Sequence, residues 1–260
     1  MRYIGGVFGA VFVALLILFF ISEKKHKQTV IFFSGSGMKA PVMEIVNKFS
    51  EQTRIPVNVY FEGSRNLSEY IETYGDIDLM LSGGLKPIED LKDKGLVKES
   101  ALIAWHIPAI LVPESKKGSI RGLDDLASKG VRIVMANPSQ ASSGKLIYEA
   151  LKNHPQAKQI FANVVVYGSS TNNTMEVFTE FYKKGQADVV LEWDVMAYDP
   201  QWKGLVVVPF DKKYAVGDPL NIVLLKTQRN NVNIRRFYDY FRTEGIKVFQ
   251  KHGYKTGAMR

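Results

Sequence analysis

The sequence predicts an α/β protein with mostly parallel sheets, preceded by a membrane-spanning segment. From Gln28 onward, short apolar runs typical of strands alternate with longer stretches whose apolar residues recur at helical spacing. Strand after strand ends in a loop rich in Ser, Gly or Asn that leads directly into a helix. This alternation is typical of sheets whose parallel strands are joined by crossover helices.

The composition excludes several classes of function. The chain has 260 residues, a formal net charge of +8 and no cysteine, so disulfides, thiolate metal sites and cysteine nucleophiles are excluded. The four histidines (His26, His106, His154 and His252) have no metal-ligand spacing, and each is interpreted as a surface or packing residue. The positive charge is interleaved with acids along the chain, which does not indicate a nucleic-acid partner.

The first segment predicts a membrane anchor. Residues 4–21 form an uncharged run long enough to cross a bilayer as a helix, and no small-x-small cleavage pattern follows it. We therefore expect an uncleaved N-terminal helix, with a cleaved signal peptide as the alternative. Arg2 precedes the run, whereas Lys24, Lys25 and Lys27 follow it, so the positive-inside rule alone would place the rest of the chain in the cytoplasm.

The elements predicted after this segment follow one another without repeats. The helix at 41–52, for example, has Val42, Ile45, Val46 and Phe49 on one face. The predicted strands are 29–33, 56–61, 77–82, 107–112, 131–136, 164–167, 189–191, 205–209 and 220–225. The predicted helices are 41–52, 67–74, 85–94, 145–153, 175–184 and one or two helices within 233–253.

Five of the loops that follow strands share a polar, small-residue character. They are SGSG at 34–37, EGS at 62–64, SGG at 82–84, NPSQASSG at 137–144 and GSSTNNT at 168–174. The carboxyl ends of strands form the ligand crevice in open α/β sheets. Backbone N–H groups at helix starts are unpaired and carry partial positive charge, so a crevice built from such junctions suits an anion.

Several stretches, taken in order, resemble a known family. They are Phe33 with the turn after it, 61–64, 76–82, 137–138 with 143–144, 148–151, 188–197, 237–241 and 249–254. From about residue 29 to 254 the chain resembles the periplasmic molybdate-binding proteins of ABC importers and the related archaeal tungstate/molybdate binders. The resemblance implies a type II solute-binding fold, in which two α/β lobes with mixed, mostly parallel sheets close on an oxyanion.

The resemblance also implies domain limits and site residues. Lobe 1 would comprise 28–108 plus 222–260, lobe 2 would comprise 109–221, and 1–27 would be the anchor or signal segment. The family's serine, amide and tyrosine positions fall on Ser64, Ser143, the Met175 amide and Trp193, and its first-loop serine falls on Gly37, with Ser36 one place earlier. Further candidate ligand residues are Ser34, Arg65, Ser82, Thr174 and Glu192.

The residues leave some alternatives open. Ser64 serves either as a ligand or as the cap of the helix that follows it. Because Trp193 stands where the family has a tyrosine, the identity of the anion stays open. An Arg65 side chain turned inward would favour phosphate, sulfate or a carboxylate over molybdate. No histidine lies in the Ser/Gly loops to activate a serine, so an enzyme is not expected.

The predicted function is the capture of a small oxyanion such as molybdate or tungstate for delivery to an ABC permease. We expect a monomer on the periplasmic or extracellular face, with no cofactor, no free metal cation and no nucleic-acid partner. The lobes would rotate about crossing segments near 107–112 and 220–225. The alternatives are an anchored module that senses another anion and signals to a partner, and a regulatory domain that faces the cytoplasm.

Overall fold

The computed structural model describes residues 29–62, 64–214, 216–227, 229 and 231–258, and for residues 64–68 it describes the backbone only. None of the helices in these ranges is long and apolar enough to cross a membrane. The predicted N-terminal span, residues 4–21, lies outside the described residues.

The first sheet consists of five strands. They are β1 (Val30–Gly35), β2 (Val57–Glu62), β3 (Leu79–Gly83), β4 (Val97–His106) and β10 (Asp218–Leu225). Their order in the sheet is β2-β1-β3-β10-β4. β1 runs parallel to β2 and β3, whereas β10 runs antiparallel to β3 and β4. The sheet is therefore mixed, and its antiparallel strand, β10, lies in the interior between β3 and β4.

The second sheet also has five strands, arranged as a similar mixed sheet. Its strands are β5 (Pro108–Pro113), β6 (Ile133–Ala136), β7 (Val164–Gly168), β8 (Val189–Trp193) and β9 (Leu205–Pro209). Their order is β7-β6-β8-β5-β9. β6 runs parallel to β7 and β8, and β5 runs antiparallel to β8 and β9.

Helices follow most of the parallel strands and cover the sheets. They are α1 (Lys39–Thr53), α2 (Ser64–Tyr74), α3 (Lys86–Asp93), α4 (Ser142–Leu151), α5 (Ala157–Ala162), α6 (Thr171–Lys183), α7 (Val232–Tyr240) and α8 (Ile246–Lys251). A single π-helical turn, Phe241–Gly245, joins the last two. Strand and helix thus alternate as predicted, apart from β4 and α5, which the prediction missed.

The chain passes between the two sheets twice. It leaves the first sheet at His106 and enters the second at Pro108, and it returns between Pro209 and Asp218. Each sheet with its helices forms one lobe, so the fold is a two-lobed α/β fold, as the sequence resemblance implies. The predicted lobe limits at 108/109 and 221/222 fall inside β5 and β10.

An aromatic cluster forms the centre of the first lobe. The rings of Phe32 and Phe237 meet edge to face at 5.5 Å, and Phe49 contacts Phe237 at 4.9 Å. The predicted apolar face of α1 is buried in this core, as its 3.6-residue period requires. Aromatic pairs in such geometry add about 0.5–1.5 kcal/mol each beyond the area they bury. The core thereby holds α1, and the loop before it, against the end of β1.

Candidate functional site

A small cavity of about 90 Å³ lies where strand ends of both lobes meet. It is lined by Gly35, Ser36, Gly37, Met38, Glu62, Gly83, His106, Gln140, Ala141, Ser142, Ser169 and Ser170. The first seven belong to the ends of β1 to β4, and the last five belong to the loops after β6 and β7. The cleft thus forms at the carboxyl ends of the strands, where this fold class places ligands.

The loop after β1 is a short 3-10 turn that leads into α1. Ser36 and Gly37, both predicted site residues, line the cavity here. Gly37 lies close to the second lobe, because a Cβ on it would be 3.8 Å from the Thr171 side chain, an ordinary van der Waals contact. Ser34, a further candidate, is buried instead, and its Oγ donates to the Gly35 carbonyl at 3.3 Å.

The start of α4 forms one wall from the second lobe. The helix begins at Ser142, three residues before the predicted start, and Ser142 lines the cavity. Ser143 is fully buried, and its Oγ donates to a Glu192 carboxylate oxygen at 2.7 Å. Gly144 lets the helix approach β6, because a Cβ there would lie 2.4 Å from the Ala136 carbonyl oxygen. Of the two serines, Ser142 is therefore the one that lines the cleft.

The start of α6 forms the neighbouring wall. Ser170 caps this helix, with its Oγ accepting from the Asn173 amide at 3.3 Å, and Ser170 lines the cavity together with Ser169. The helix begins at Thr171, so Met175 is its fifth residue, not its first, and is fully buried. The Thr174 amide already donates to the Ser170 carbonyl, and the Thr174 hydroxyl donates to the same oxygen. Unpaired amides belong to the first turn, so the expectation of a free Met175 amide is corrected.

Glu192 lies at the carboxyl end of β8, against the first turns of α4 and α6. It is fully buried and accepts hydrogen bonds from Ser143, from Thr171 at 3.3 Å and from the Trp193 amide at 3.1 Å. Burial raises the pKa of Glu192 to about 7, although these hydrogen bonds act in the opposite direction. The Glu192 side chain therefore contacts a predicted ligand residue and is not among the described residues that line the cavity.

The described wall of the cavity offers neutral donors. They are serine hydroxyls, backbone amides at helix starts and the His106 ring, and the described lining residues include one acid, Glu62, and neither Lys nor Arg. No cluster of three or more metal-ligating side chains occurs in the part of the chain that the structure describes. Dipoles arranged in this way suit an anion, because they offer hydrogen-bond donors without a fixed counter-charge.

Comparison with known proteins agrees with this architecture. Residues 30–255 match the family model described as bacterial extracellular solute-binding protein. The chain belongs to this family. Its members are binding proteins that work outside the cytoplasm, and the match covers every strand and helix described above.

Individual relatives of this solute-binding protein are distant. A Haemophilus influenzae chain described as a binding protein is 22% identical over 226 residues, covering 85% of this chain and 89% of the relative. A sulfate-binding protein of Synechococcus elongatus is 24% identical over 210 residues, covering 71% of this chain and 57% of the relative. The solved periplasmic molybdate-binding protein of Azotobacter vinelandii is 17% identical with a TM-score of 0.71, covering 88% of this chain and all of that one.

Trp193, which the resemblance made a candidate ligand residue of this solute-binding protein, packs beside the cavity and does not line it. Trp193 is 1% exposed, and it is not among the residues that line the cavity. Its ring stacks on the His106 imidazole at 4.7 Å with the two planes 7° apart. Through this stack Trp193 holds His106, which does line the cavity and which the sequence indicated only as a surface or packing residue.

The remaining predicted residues fall outside the described cavity wall. Ser82 is buried and donates to the Gly83 carbonyl at 3.1 Å. Ser64 is the first residue of α2, and the side chains of Ser64 and Arg65 lie outside what the structure describes. Their predicted contacts with the ligand stay predictions.

Proposed function

We propose that this protein captures a small oxyanion between its lobes and delivers it to an ABC permease. The observation that carries the proposal is the convergence of α4 and α6 on a cavity of about 90 Å³ whose described lining is rich in serine and glycine and includes no Lys or Arg. One water occupies about 30 Å³ of liquid, so this volume suits a ligand of a few heavy atoms.

Molybdate and tungstate are the first candidates. The site contains hydroxyls and amides from both lobes, which matches the donor set that the sequence resemblance implies, and the molybdate-binding neighbour shares the fold. Preformed dipoles need little reorganisation on binding, so they supply affinity without a counter-charge. Ser36 and Ser142 are the proposed hydroxyl donors, and the unpaired first-turn amides of α6 are the proposed backbone donors.

A protonated oxyanion such as hydrogen phosphate is the second candidate. Glu62 lines the cavity, and a carboxylate accepts a hydrogen bond from an oxyanion that carries a proton but repels one that carries none. The sulfate-binding relative makes sulfate the third anion to test. Residues 4–21 are proposed as the membrane tether of a protein on the extracytoplasmic face.

Calorimetry on the full-length protein decides between these anions. Molybdate, tungstate, sulfate and phosphate are titrated separately, and we expect one of them to give saturable heat and a raised melting temperature. Tighter binding of molybdate supports the first candidate, and tighter binding of phosphate supports the second. If none of the four gives heat or stabilises the protein, the oxyanion proposal is wrong.

Two substitutions test whether the anion binds in the cleft. Ser36→Ala and Ser142→Ala, one from each lobe, should each weaken binding by about 1–3 kcal/mol, because a donor to a buried anion is lost. Ser128→Ala, on the exposed surface after the 3-10 turn Asp124–Ala127, is the matched control and should bind as wild type does. Unchanged affinity in both cleft variants would move the ligand elsewhere.

A further inference from the structure

His106 is a buried polar residue that lacks the partners such residues normally have. It is 5% exposed and lines the cavity, and neither Nδ1 nor Nε2 has a hydrogen-bond partner in the described part of the chain. Leaving a buried donor or acceptor unpaired costs about 1–3 kcal/mol. Each such group in a native structure points to a missing partner such as a water or a ligand.

The ring is held in one orientation by its neighbours. Trp193 of the second lobe stacks flat on it at 4.7 Å, and Tyr254 from the end of the chain packs at 5.5 Å with the planes 39° apart. The two contacts hold the plane of the imidazole, and with it the positions of its two nitrogens, in this arrangement of the lobes.

Gly83 lies beside the Nδ1 atom of His106. A Cβ on Gly83 would lie 3.9 Å from His106 Nδ1 and 3.3 Å from a carboxylate oxygen of Asp218, which pairs with His106 across β4 and β10. Gly83 itself lines the cavity. The absence of a side chain at Gly83 therefore leaves space next to Nδ1, and both ring nitrogens are themselves buried from solvent.

We propose that His106 is a ligand-binding residue, which donates an imidazole N–H to the oxyanion in the cleft. The inference rests on the proposed function and adds a donor from the crossing segment to the donors of the two lobes. His106 ends β4 directly before the chain enters the second sheet. A hydrogen bond from His106 would connect the ligand to the segment at 106–108, where the chain passes from the first lobe to the second.

The uncharged state of the ring fits this role. Burial lowers the pKa of His106 to about 3, so at neutral pH the ring is neutral and carries one N–H donor and one acceptor. A neutral donor adds a hydrogen bond without adding a positive charge, in keeping with the described lining residues of the cavity. The bound anion supplies the acceptor that the described residues do not.

Two substitutions separate ligand binding from packing. His106→Phe keeps an aromatic ring against Trp193 but removes both nitrogens, and His106→Gln keeps an N–H donor. His154→Phe is the matched control: His154 is also buried and packs on Tyr214 at 5.1 Å, but its Nδ1 accepts from the Gln156 amide, and it is not among the residues that line the cavity.

The test is calorimetry of the full-length variants with whichever of molybdate, tungstate, sulfate or phosphate the wild type binds. We expect His106→Phe to weaken binding about 10- to 100-fold, the range for a hydrogen bond to a charged group. His106→Gln should retain part of that affinity, and His154→Phe should leave it unchanged. Equal affinity in wild type and His106→Phe overturns the inference while the proposed function stands.

A spectroscopic readout does not depend on whether the variants fold. The ¹⁵N resonances of the His106 ring in the wild type should shift when the anion saturates the protein, because one nitrogen gains an acceptor. Ring resonances that stay in place at saturation overturn the inference. If the wild type binds none of the four anions, the proposed function fails, and the inference fails with it.

Discussion

The two ends of β8 carry buried carboxyl groups in opposite electrostatic settings. Asp188, at the amino end, receives two hydrogen bonds from the Arg132 guanidinium at 2.8 and 2.9 Å and pairs with Lys116. These contacts, with Arg132 foremost, hold the pKa of Asp188 far below its usual range. Glu192, at the carboxyl end, accepts hydrogen bonds from two hydroxyls and a backbone amide, and burial raises its pKa to about 7.

The difference shows how one strand serves two purposes. The amino end is closed by fixed cations that neutralise the acid and stabilise the lobe. At the carboxyl end, α4 and α6 begin against the strand and supply partial positive charge at their unpaired amides. No cation is committed to Glu192 among the described residues, so the helix ends remain available to an external anion. The electrostatic asymmetry of β8 therefore coincides with the position of the cleft.

The largest effect is expected where α4 packs against β6. Gly144→Ala places a Cβ 2.4 Å from the Ala136 carbonyl oxygen and 2.7 Å from two backbone carbons, none of which belongs to a flexible side chain. We expect a loss of about 3 kcal/mol or more in the free energy of unfolding, at the upper end of the usual range for overpacking. Chemical denaturation measures it. Gly122→Ala, with nothing within 4 Å of the added Cβ, is the control, and equal stability of the two variants would contradict this close approach.

The next effect concerns the amino end of β8. Asp188→Asn leaves Arg132 and Lys116 without their anion, and we expect a loss of about 2–3 kcal/mol at pH 7. Because folding lowers the pKa of Asp188, its stabilisation is present above the unfolded value of about 3.8 and is lost as the pH falls below it. Urea denaturation between pH 7 and pH 3 measures this. Glu180→Gln, in an exposed pair with Lys184, is the control, and a wild-type pH profile in Asp188→Asn would refute the prediction.

The smallest effect concerns the carboxyl end of β8. Folding raises the pKa of Glu192, so its contribution to stability is fully present below about pH 4.5 and is lost as the pH rises through about 7. Glu192→Gln keeps one acceptor oxygen, for Thr171 and the Trp193 amide, and its NH2 group can donate to the Ser143 hydroxyl oxygen, but it cannot ionise. We expect this variant to be more stable than wild type at pH 8 by about 1–2 kcal/mol and to show a flatter pH profile. Melting curves from pH 4.5 to pH 8 measure this, and a wild-type slope in the variant would show that Glu192 does not ionise in the fold.

Periodicity predicted most of the fold, and helix capping explains where it failed. Strand β9 lies at 205–209 as predicted, and α1 extends the prediction by one or two residues at each end. α4 and α6 begin three and four residues before their predicted starts, because polar residues form their first turns and carry no apolar period. Strand β4 was missed for a similar reason, since its first residues, VKES, are mostly polar.

The sequence predicted several of the loops that form the cavity, but not always which residue of each loop lines it. Ser36 and Gly37 line the cavity, but in α4 the cavity residue is Ser142 and not Ser143. One residue along a helix rotates a side chain by about 100°, enough to turn Ser143 toward Glu192. His106 could not be found from the sequence, because Trp193, Gly83 and Asp218 reach it from distant parts of the chain. Only the folded arrangement shows that its nitrogens lack partners.

Locating the anion in a crystal tests the central claim most directly. Crystals are grown with the anomalous scatterer that corresponds to the anion bound in solution: tungstate for molybdate, selenate for sulfate or arsenate for phosphate. We expect one anomalous peak between the lobes, within hydrogen-bonding distance of the Ser36 and Ser142 hydroxyls and the first amides of α6. A saturated protein whose peak lies outside this cleft would contradict it.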